Sequence, residues 1–511
     1  MTVLRIAQDF ANIFKAFIGT NYLTVSFAFK ESGLLLGLIG IAFIVLATAH
    51  CCNMIVKCKR EVVARIVTNP SSLTGYVSSR LRSISESELE RTISYGEVAR
   101  AVLGRLGSIL TTVGLFVTQF GFCVSYFIFI ADTLEESIDT FVYNRTKHDI
   151  VTPTAMVEGG GLQSSVLTDG LDRSWWQYLT MGSNLDKDAE KHVVDYHLLL
   201  LIPFPCFMAL AMLKRIRDMG PFSALANFSV LVGFITITVI IFTDFKINND
   251  VTWTANFSGF PIFFGQVTSA YEGIGTIIPI ETSMEGNRSL YPVLLYGALL
   301  LFTGIYCFMG VIGYLKYGNN VGQVLIWSLA GHTNPIVILM INATICIGVL
   351  FTYPLQNFVA VEIVEGIIFG KSIHEDEQAD TSIPNGESRE PLLSSGIPNE
   401  SVQSEEVVTR QPTQKVPFYK RGLVRAVIVV IQFGLAYFLK DSYAYFSALV
   451  GAVGSTMLAY VIPCLIHIRL GGRSTLVIMK DVLLISIGLV GMVTGVYFSV
   501  RQIIENLQGP N

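Results

Sequence analysis

AFIGTNYLTVSFAFKESG, residues 16–33, is mostly apolar, yet Gly19, Thr20 and Asn21 stand in a row shortly after Lys15. Gly costs about 1 kcal/mol against Ala inside a helix, and Asn competes for its own backbone groups. A stretch that reads as a membrane helix is therefore weakened in its middle. A second interruption lies in SAYEGIGTIIPIE, residues 269–281. Gly273 and Gly275 flank Ile274, Pro279 follows, and Glu272 puts an ionisable group inside an apolar run.

The surrounding composition says where these breaks sit. Of 511 residues, 51% are hydrophobic and 14% charged, against roughly 25% charged in a soluble domain. Long segments facing lipid account for the shortfall. The net charge of -4 and the absence of a basic block give no sign of a nucleic-acid partner. The eight cysteines fall in or beside apolar runs, so neither a disulfide framework nor a metal site is expected. The N-terminal segment has no cleavage-site pattern and is expected to be retained.

A spanning helix needs about 20 apolar residues. Eleven candidates lie near 9–31, 34–56, 106–131, 197–213, 220–243, 259–282, 291–315, 335–368, 423–440, 443–468 and 481–500. The chain thus reads as an all-α polytopic membrane protein. Spans one to eight occupy residues 1–368, a polar segment 369–421, and spans nine to eleven residues 422–511.

Lys and Arg set the orientation. Lys57, Lys59, Arg60 and Arg65 follow the second span, Lys214, Arg215 and Arg217 the fourth, and Arg469 and Arg473 the tenth. A cytosolic N-terminus and an exofacial or lumenal C-terminus put all of these in the cytosol. The loop 132–196, rich in Asp and Glu, then faces the exterior or a lumen. It carries the sequon Asn144-Arg145-Thr146, an expected glycosylation site. Its Trp175-Trp176 pair is suited to the membrane interface. Residues 371–417, rich in Ser, Pro and Glu, read as a disordered cytosolic loop open to sorting or signalling partners. EPLLSS (390–395) there has the look of a dileucine sorting signal.

Gly in a membrane helix also serves helix packing, and either break alone is open to that reading. Their placement argues further. Spans one and six each open a group of five, and matched interruptions in two halves point to a transporter's binding site. Unwound backbone at membrane depth is tolerated only where it lines a cavity or is buried in protein. Half-helix N-termini favour a carboxylate and carbonyl ends favour an ammonium, which together suit a zwitterionic amino acid.

The span region resembles the proton-coupled amino acid transporter family, within the amino acid/auxin permease group. The resemblance rests on FFGQVTSAYEGIGTIIPIETSM (263–284), VTQFGFCVSYFIFIAD (117–132), MGVIGYLKYG (309–318), FTYPLQNFVAVEIVE (351–365) and FSALVGAVGSTMLAYVIPCLI (446–466). It implies a 5+5 inverted repeat, of the amino acid-polyamine-cation transporter type, plus an eleventh helix. It also implies secondary active transport of small neutral amino acids by alternating access, in symport with protons. The expected ligand contacts are Ile18, Gly19, Thr20 and Asn21 on span one, with Ser269, Ala270, Tyr271, Gly273 and Gly275 on span six.

His50, in ATAHCCNMIVKC (47–58), stands where the family has a His proposed to couple protons. An ionisable group inside a span is costly, and His titrates near neutrality. Glu272 is the second proton-coupling candidate; it also suits the substrate ammonium or a brace for the broken helix. Gln119 and Tyr126 either line the cavity or pack, and Lys15 reads as an interfacial side chain. Asn21 and Thr24 replace family glycines and are expected to narrow the pocket.

Two alternatives stay open: an amino acid sensor or receptor with a transporter fold, and sodium coupling. No P-loop is present, so ATP is not the expected energy source. No cofactor is expected, and no zinc or serine-nucleophile motif points to an enzyme. Plasma membrane and endosomal or lysosomal membrane are both compatible with the sequence.

Overall fold

The computed structural model describes residues 2–17, 19–68, 73, 85–151, 194–213, 220–243, 245–284, 286–329, 335–369 and 418–508. The expected cytosolic loop 371–417 and the Trp175-Trp176 pair lie outside the described residues, as do Ile18 and the side chains of Thr20 and Asn144.

Every regular element among the described residues is helical. Span one is split into α1 (Thr2–Phe17) and α2 (Val25–Ser32). Next come α3 (Leu34–Thr68), the short α4 (Glu86–Thr92) and α5 (Tyr95–Val151). α5 kinks at Gly104, which leaves helical geometry at φ 73°, just before the predicted start of span three. It also runs on past residue 131 into the stretch read as an exofacial loop. Pro203 divides span four into α6 (Tyr196–Leu200) and α7 (Pro203–Ala211). α8 (Gly220–Thr243) follows, and span six is split into α9 (Phe260–Ala270) and α10 (Ile274–Ser283). α11 (Tyr291–Tyr317), α12 (Pro335–Phe369) and α13 (Phe418–Tyr437) precede a span that begins as α14 (Tyr443–Val450). That span widens into π-helical turns over Gly451–Ser455 and Met457–Val461, and ends as α15 (Ile462–Leu470). The last helix is α16 (Thr475–Gln508).

Among the described residues seven helices are long and apolar enough to cross a bilayer: α3, α5, α8, α11, α12, the α14–α15 span and α16. The other four predicted spans fall on the split helices α1/α2, α6/α7 and α9/α10, and on α13, which carries Lys420, Arg421 and Arg425. The protein is a polytopic helical bundle. α16 shows mostly lipid-facing apolar side chains such as Leu476, Leu483, Val490 and Val493, whereas the α14–α15 span is largely enclosed.

Two features hold the split span six in place. The first is close packing of α9 on the π-helical span. A Cβ on Gly451 would lie 2.0 Å from the carbonyl oxygen of Gly265, and one on Gly265 would lie 2.3 Å from that of Ala448. Only two glycines let these backbones touch, and the wide π turns place Gly451 at the contact. π-bulges of this kind recur at functional sites.

The second is an ion cluster on α10. Glu281 accepts from Lys59 Nζ at 2.9 Å and from Arg60 at 2.7 Å, both on α3. The Lys59 and Glu281 side chains are each 0% exposed. Lys59 Nζ also donates to Thr282 Oγ1 at 2.6 Å, so the buried ammonium has two oxygen partners. Just beyond, Arg288 pairs with Glu90 at 2.7 Å, and Asn287 donates to Asp9 at 2.9 Å, tying α4 and α1 to the same end.

Glu281→Gln removes the full charge facing a buried ammonium, a loss of about 3–5 kcal/mol. A lower melting temperature of purified protein is expected, and Lys59→Met with Glu281→Leu should recover most of it. An unchanged melt for Glu281→Gln would contradict the buried-pair reading. Gly265→Val forces the backbones apart and costs at least about 1–3 kcal/mol, seen in the same melts.

Candidate functional site

The two breaks are built differently. After α1, Gly19 is extended (φ -153°, ψ -160°), and a tight 3₁₀ turn over Thr20–Leu23 leads into α2. The Thr24 hydroxyl donates to the carbonyl of Asn21 at 3.0 Å, holding the turn shut. After α9, Tyr271 and Glu272 leave the helix, and Gly273 (φ -146°, ψ -4°) restarts it as α10. The Thr276 hydroxyl donates to the Gly273 carbonyl at 2.8 Å. A Cβ on Gly273 would sit 2.7 Å from the Phe17 ring and 3.0 Å from the Ala16 carbonyl oxygen. Gly273 is therefore where the end of α1 fits into the second break.

A cavity of about 440 Å³ lies against this junction. Gly19 and Asn21 line it from the first break, and Ser269, Ala270 and Glu272 from the second. Ser125 and Tyr126 of α5, Asn227 of α8, Gln356 of α12 and Ser447 of α14 complete much of its polar wall. Phe14, Phe122, Leu231 and Phe351 supply apolar wall. Ala11, Asn12 and Lys15 line it too and are exposed, so the cavity opens along α1.

Several polar groups of this wall lack a partner within the protein. Ser125 Oγ, Ser269 Oγ and Glu272 Oε1 are buried atoms with no hydrogen-bond partner there. Such groups are costly unless something satisfies them. The wall at the end of α9 gathers carbonyl oxygens and the Glu272 carboxylate, which favour a cation. The wall at Gly19–Asn21 is the start of a helical segment whose first N–H groups lack intrahelical acceptors and favour an anion. A solute carrying an ammonium beside a carboxylate matches both.

Not every expected contact reaches the cavity. Tyr271 is buried away from it; its hydroxyl lies 2.7 Å from Thr303 Oγ1, and its ring packs edge-on against Phe302 and Tyr306. Gly273 and Gly275 face Phe17 and Leu115. Glu272 Oε1 finds no partner on α10; Glu281 braces that helix through Lys59 and Arg60. Thr24 is buried with its hydroxyl turned into the turn, so of the two larger residues only Asn21 reshapes the pocket. A Cβ on Gly19 would meet nothing within 4 Å, so a side chain there would enter open space. Gln119 is buried and does not line the cavity, whereas Lys15 stands in its mouth.

His50 lies elsewhere. It sits on α3 with Nε2 within hydrogen-bonding distance of Lys480 Nζ on α16, and does not line the cavity. Asn227, Gln356, Ser125 and Ser447 were missed by sequence reasoning. Their only signal was polarity within apolar runs, which many packing residues share.

The comparisons with known proteins agree with this architecture. A sequence profile of the family described as "Transmembrane amino acid transporter protein" matches residues 5–74, 62–158 and 171–501. The chain is 24% identical over 468 residues to Vacuolar amino acid transporter 4 of Saccharomyces cerevisiae, covering 90% of this chain and 52% of the relative. It thus spans about half the length of that yeast protein. It is 25% identical to Amino acid transporter AVT3C of Arabidopsis thaliana over 362 residues, 70% of this chain and 69% of the relative. Amino acid transporter AVT3B of the same plant is 24% identical over 362 residues, 70% of this chain and 71% of the relative. With a family match across most of its length and the split-helix bundle described above, the chain belongs to the transmembrane amino acid transporter family.

Proposed function

We propose that this protein is a secondary active transporter of small neutral amino acids, driven by a proton gradient through alternating access. The observation that carries the reading is the cavity at the two helix breaks, lined from both, with unsatisfied polar atoms facing it. The substrate ammonium rests against the end of α9 and Glu272. Its carboxylate rests against the turn at Gly19–Asn21. The side chain points toward Asn227 and Gln356.

The cavity opens along α1 and is closed on the α2 side, where Tyr22, Leu23 and Val25 are buried. With the N-terminus cytosolic, this is an inward-facing arrangement. Rocking of the α1/α2 and α9/α10 pairs against the surrounding helices then opens the other side. His50 is the proton-coupling group. Glu272 carries the counter-charge for the ammonium and is the second group able to take a proton when the cavity empties. A yeast relative named for the vacuole favours an acidic endomembrane compartment, vacuolar or endolysosomal, which itself supplies the gradient.

Reconstituted protein is expected to take up a labelled neutral amino acid faster from an acidic medium than from a slightly alkaline one, with or without sodium. Uptake that follows sodium and ignores pH would replace the proton; binding without net flux would favour a sensor. Gly19→Leu puts a side chain into the cavity, so it should abolish uptake with little change in melting temperature. Glu272→Gln removes the ammonium's counter-charge and should lower apparent affinity at least about tenfold, as expected for a charged hydrogen-bond partner worth about 1.5–3 kcal/mol.

A further inference from the structure

His50 belongs to a cluster that its own helix does not reveal. Lys480 of α16 directs its ammonium at His50 Nε2. The same ammonium lies 3.2 Å from Asp481 Oδ1. On its other side, Asp481 Oδ2 lies 2.6 Å from Nδ1 of His467, on α15. Asp481 is wholly buried, His467 nearly so, and Lys480 is 39% exposed, so the chain of groups runs from the protein interior to its surface. Lys57, two turns along α3 from His50, adds a further nearby charge, and Arg473 and Glu61 stand with Asp481 around Cys58. Cys51 of α3 meets Cys464 of α15 beside the cluster.

We propose that His50, Lys480, Asp481 and His467 form one proton-binding unit joining α3, α15 and α16, in which Lys480 and Asp481 set the pH at which transport responds. This rests on the proton-coupled reading above and adds residues to it. An ammonium has donors and no acceptor, so the His50 ring facing it is neutral and accepts at Nε2, with its own proton on Nδ1. Lys480 and Asp481 cancel in charge. A proton arriving at Nε2 takes the lone pair that Lys480 uses and sets two cations face to face. The ammonium then leaves His50 and moves onto Asp481 or out toward water. Lys480 sits in the second turn of α16, and Asp481 is held to α15 through His467. The protonation of a residue on α3 is thereby read by the two helices at the other side of the cluster.

The cluster is also connected to the site. α15 continues the π-helical span whose Gly451 touches Gly265 of α9, the helix that ends at Ala270, two residues before Glu272. Within that span, the Tyr460 and Thr48 hydroxyls lie 3.2 Å apart, so α3 meets the same segment half a turn of residues before His50. Lys480 and Asp481 are positioning residues: they act through His50 and touch no substrate.

The test is the pH profile of labelled amino acid uptake into proteoliposomes for wild type, Lys480→Met, Lys480→Arg and Asp481→Asn. Removing the neighbouring cation makes proton uptake easier, so Lys480→Met is expected to move half-maximal uptake to higher pH by about one unit; removing the anion moves it lower in Asp481→Asn. Lys480→Arg keeps the wild-type profile. A purely structural role would lower the maximal rate of Lys480→Met and leave its half-maximal pH in place, and that result overturns the inference while the transport reading stands. Should Asp481→Asn fail to fold, the two Lys480 variants decide alone. Wild-type uptake that is independent of pH overturns both the proton-coupled reading and this cluster.

Discussion

A peptide group released from its helix inside the hydrocarbon layer has no water to turn to. That constraint governs this protein, because two of its apolar helical segments stop and restart within the bundle. The freed groups are tolerable only against a cavity or against other protein. Both solutions are used. At the first break, Thr24 satisfies the Asn21 carbonyl and Gly19 faces open space. At the second, Gly273 receives the end of α1, while Ser269 and Glu272 look into the cavity. The breaks therefore support each other, and what they leave unsatisfied faces the space between them.

Broken helices of this kind need external support, since α2, α9 and α10 are too short to be held by their own hydrogen bonds. The support is placed asymmetrically. α9 leans on the π-helical span through a contact between two glycines, so its position follows that span closely. α10 is fixed to α3 by Glu281 with Lys59 and Arg60, with no water to weaken the inner pair. α3 also carries His50. One long helix thus holds the lower half of the second break and takes part in the cluster around Asp481, which makes α3 the common element between the cavity and the titratable groups.

Much of this was legible in the chain. The runs of apolar residues marked the spans, and Gly19 and Gly273 marked where two of them break, because a glycine in those surroundings is a cost that something must repay. The partnership of Lys59 with Glu281 was hidden, since 222 residues separate them and the lysine read only as a cytosolic orientation charge. Polar residues within spans were equally ambiguous. Gln432 and Asn357 bond each other at 3.0 Å, and Asn342 bonds Ser137 at 2.8 Å, closing helix contacts. Asn227 and Gln356 look the same in sequence yet face the cavity. Only the rotation of each helix separates the two roles, and an all-round apolar helix gives no periodic signal of its rotation. His50 lies on α3, and nothing in the residues around it pointed to Lys480 and Asp481, which approach from α16.

The most direct test is an experimental density map of the protein in a lipid nanodisc, saturated with a small neutral amino acid. Density for that amino acid is expected between Gly19–Asn21 and Ser269–Glu272, with its ammonium toward Glu272 and both helices interrupted there. Continuous helices through residues 16–32 and 260–283, or ligand density away from that junction, would contradict it.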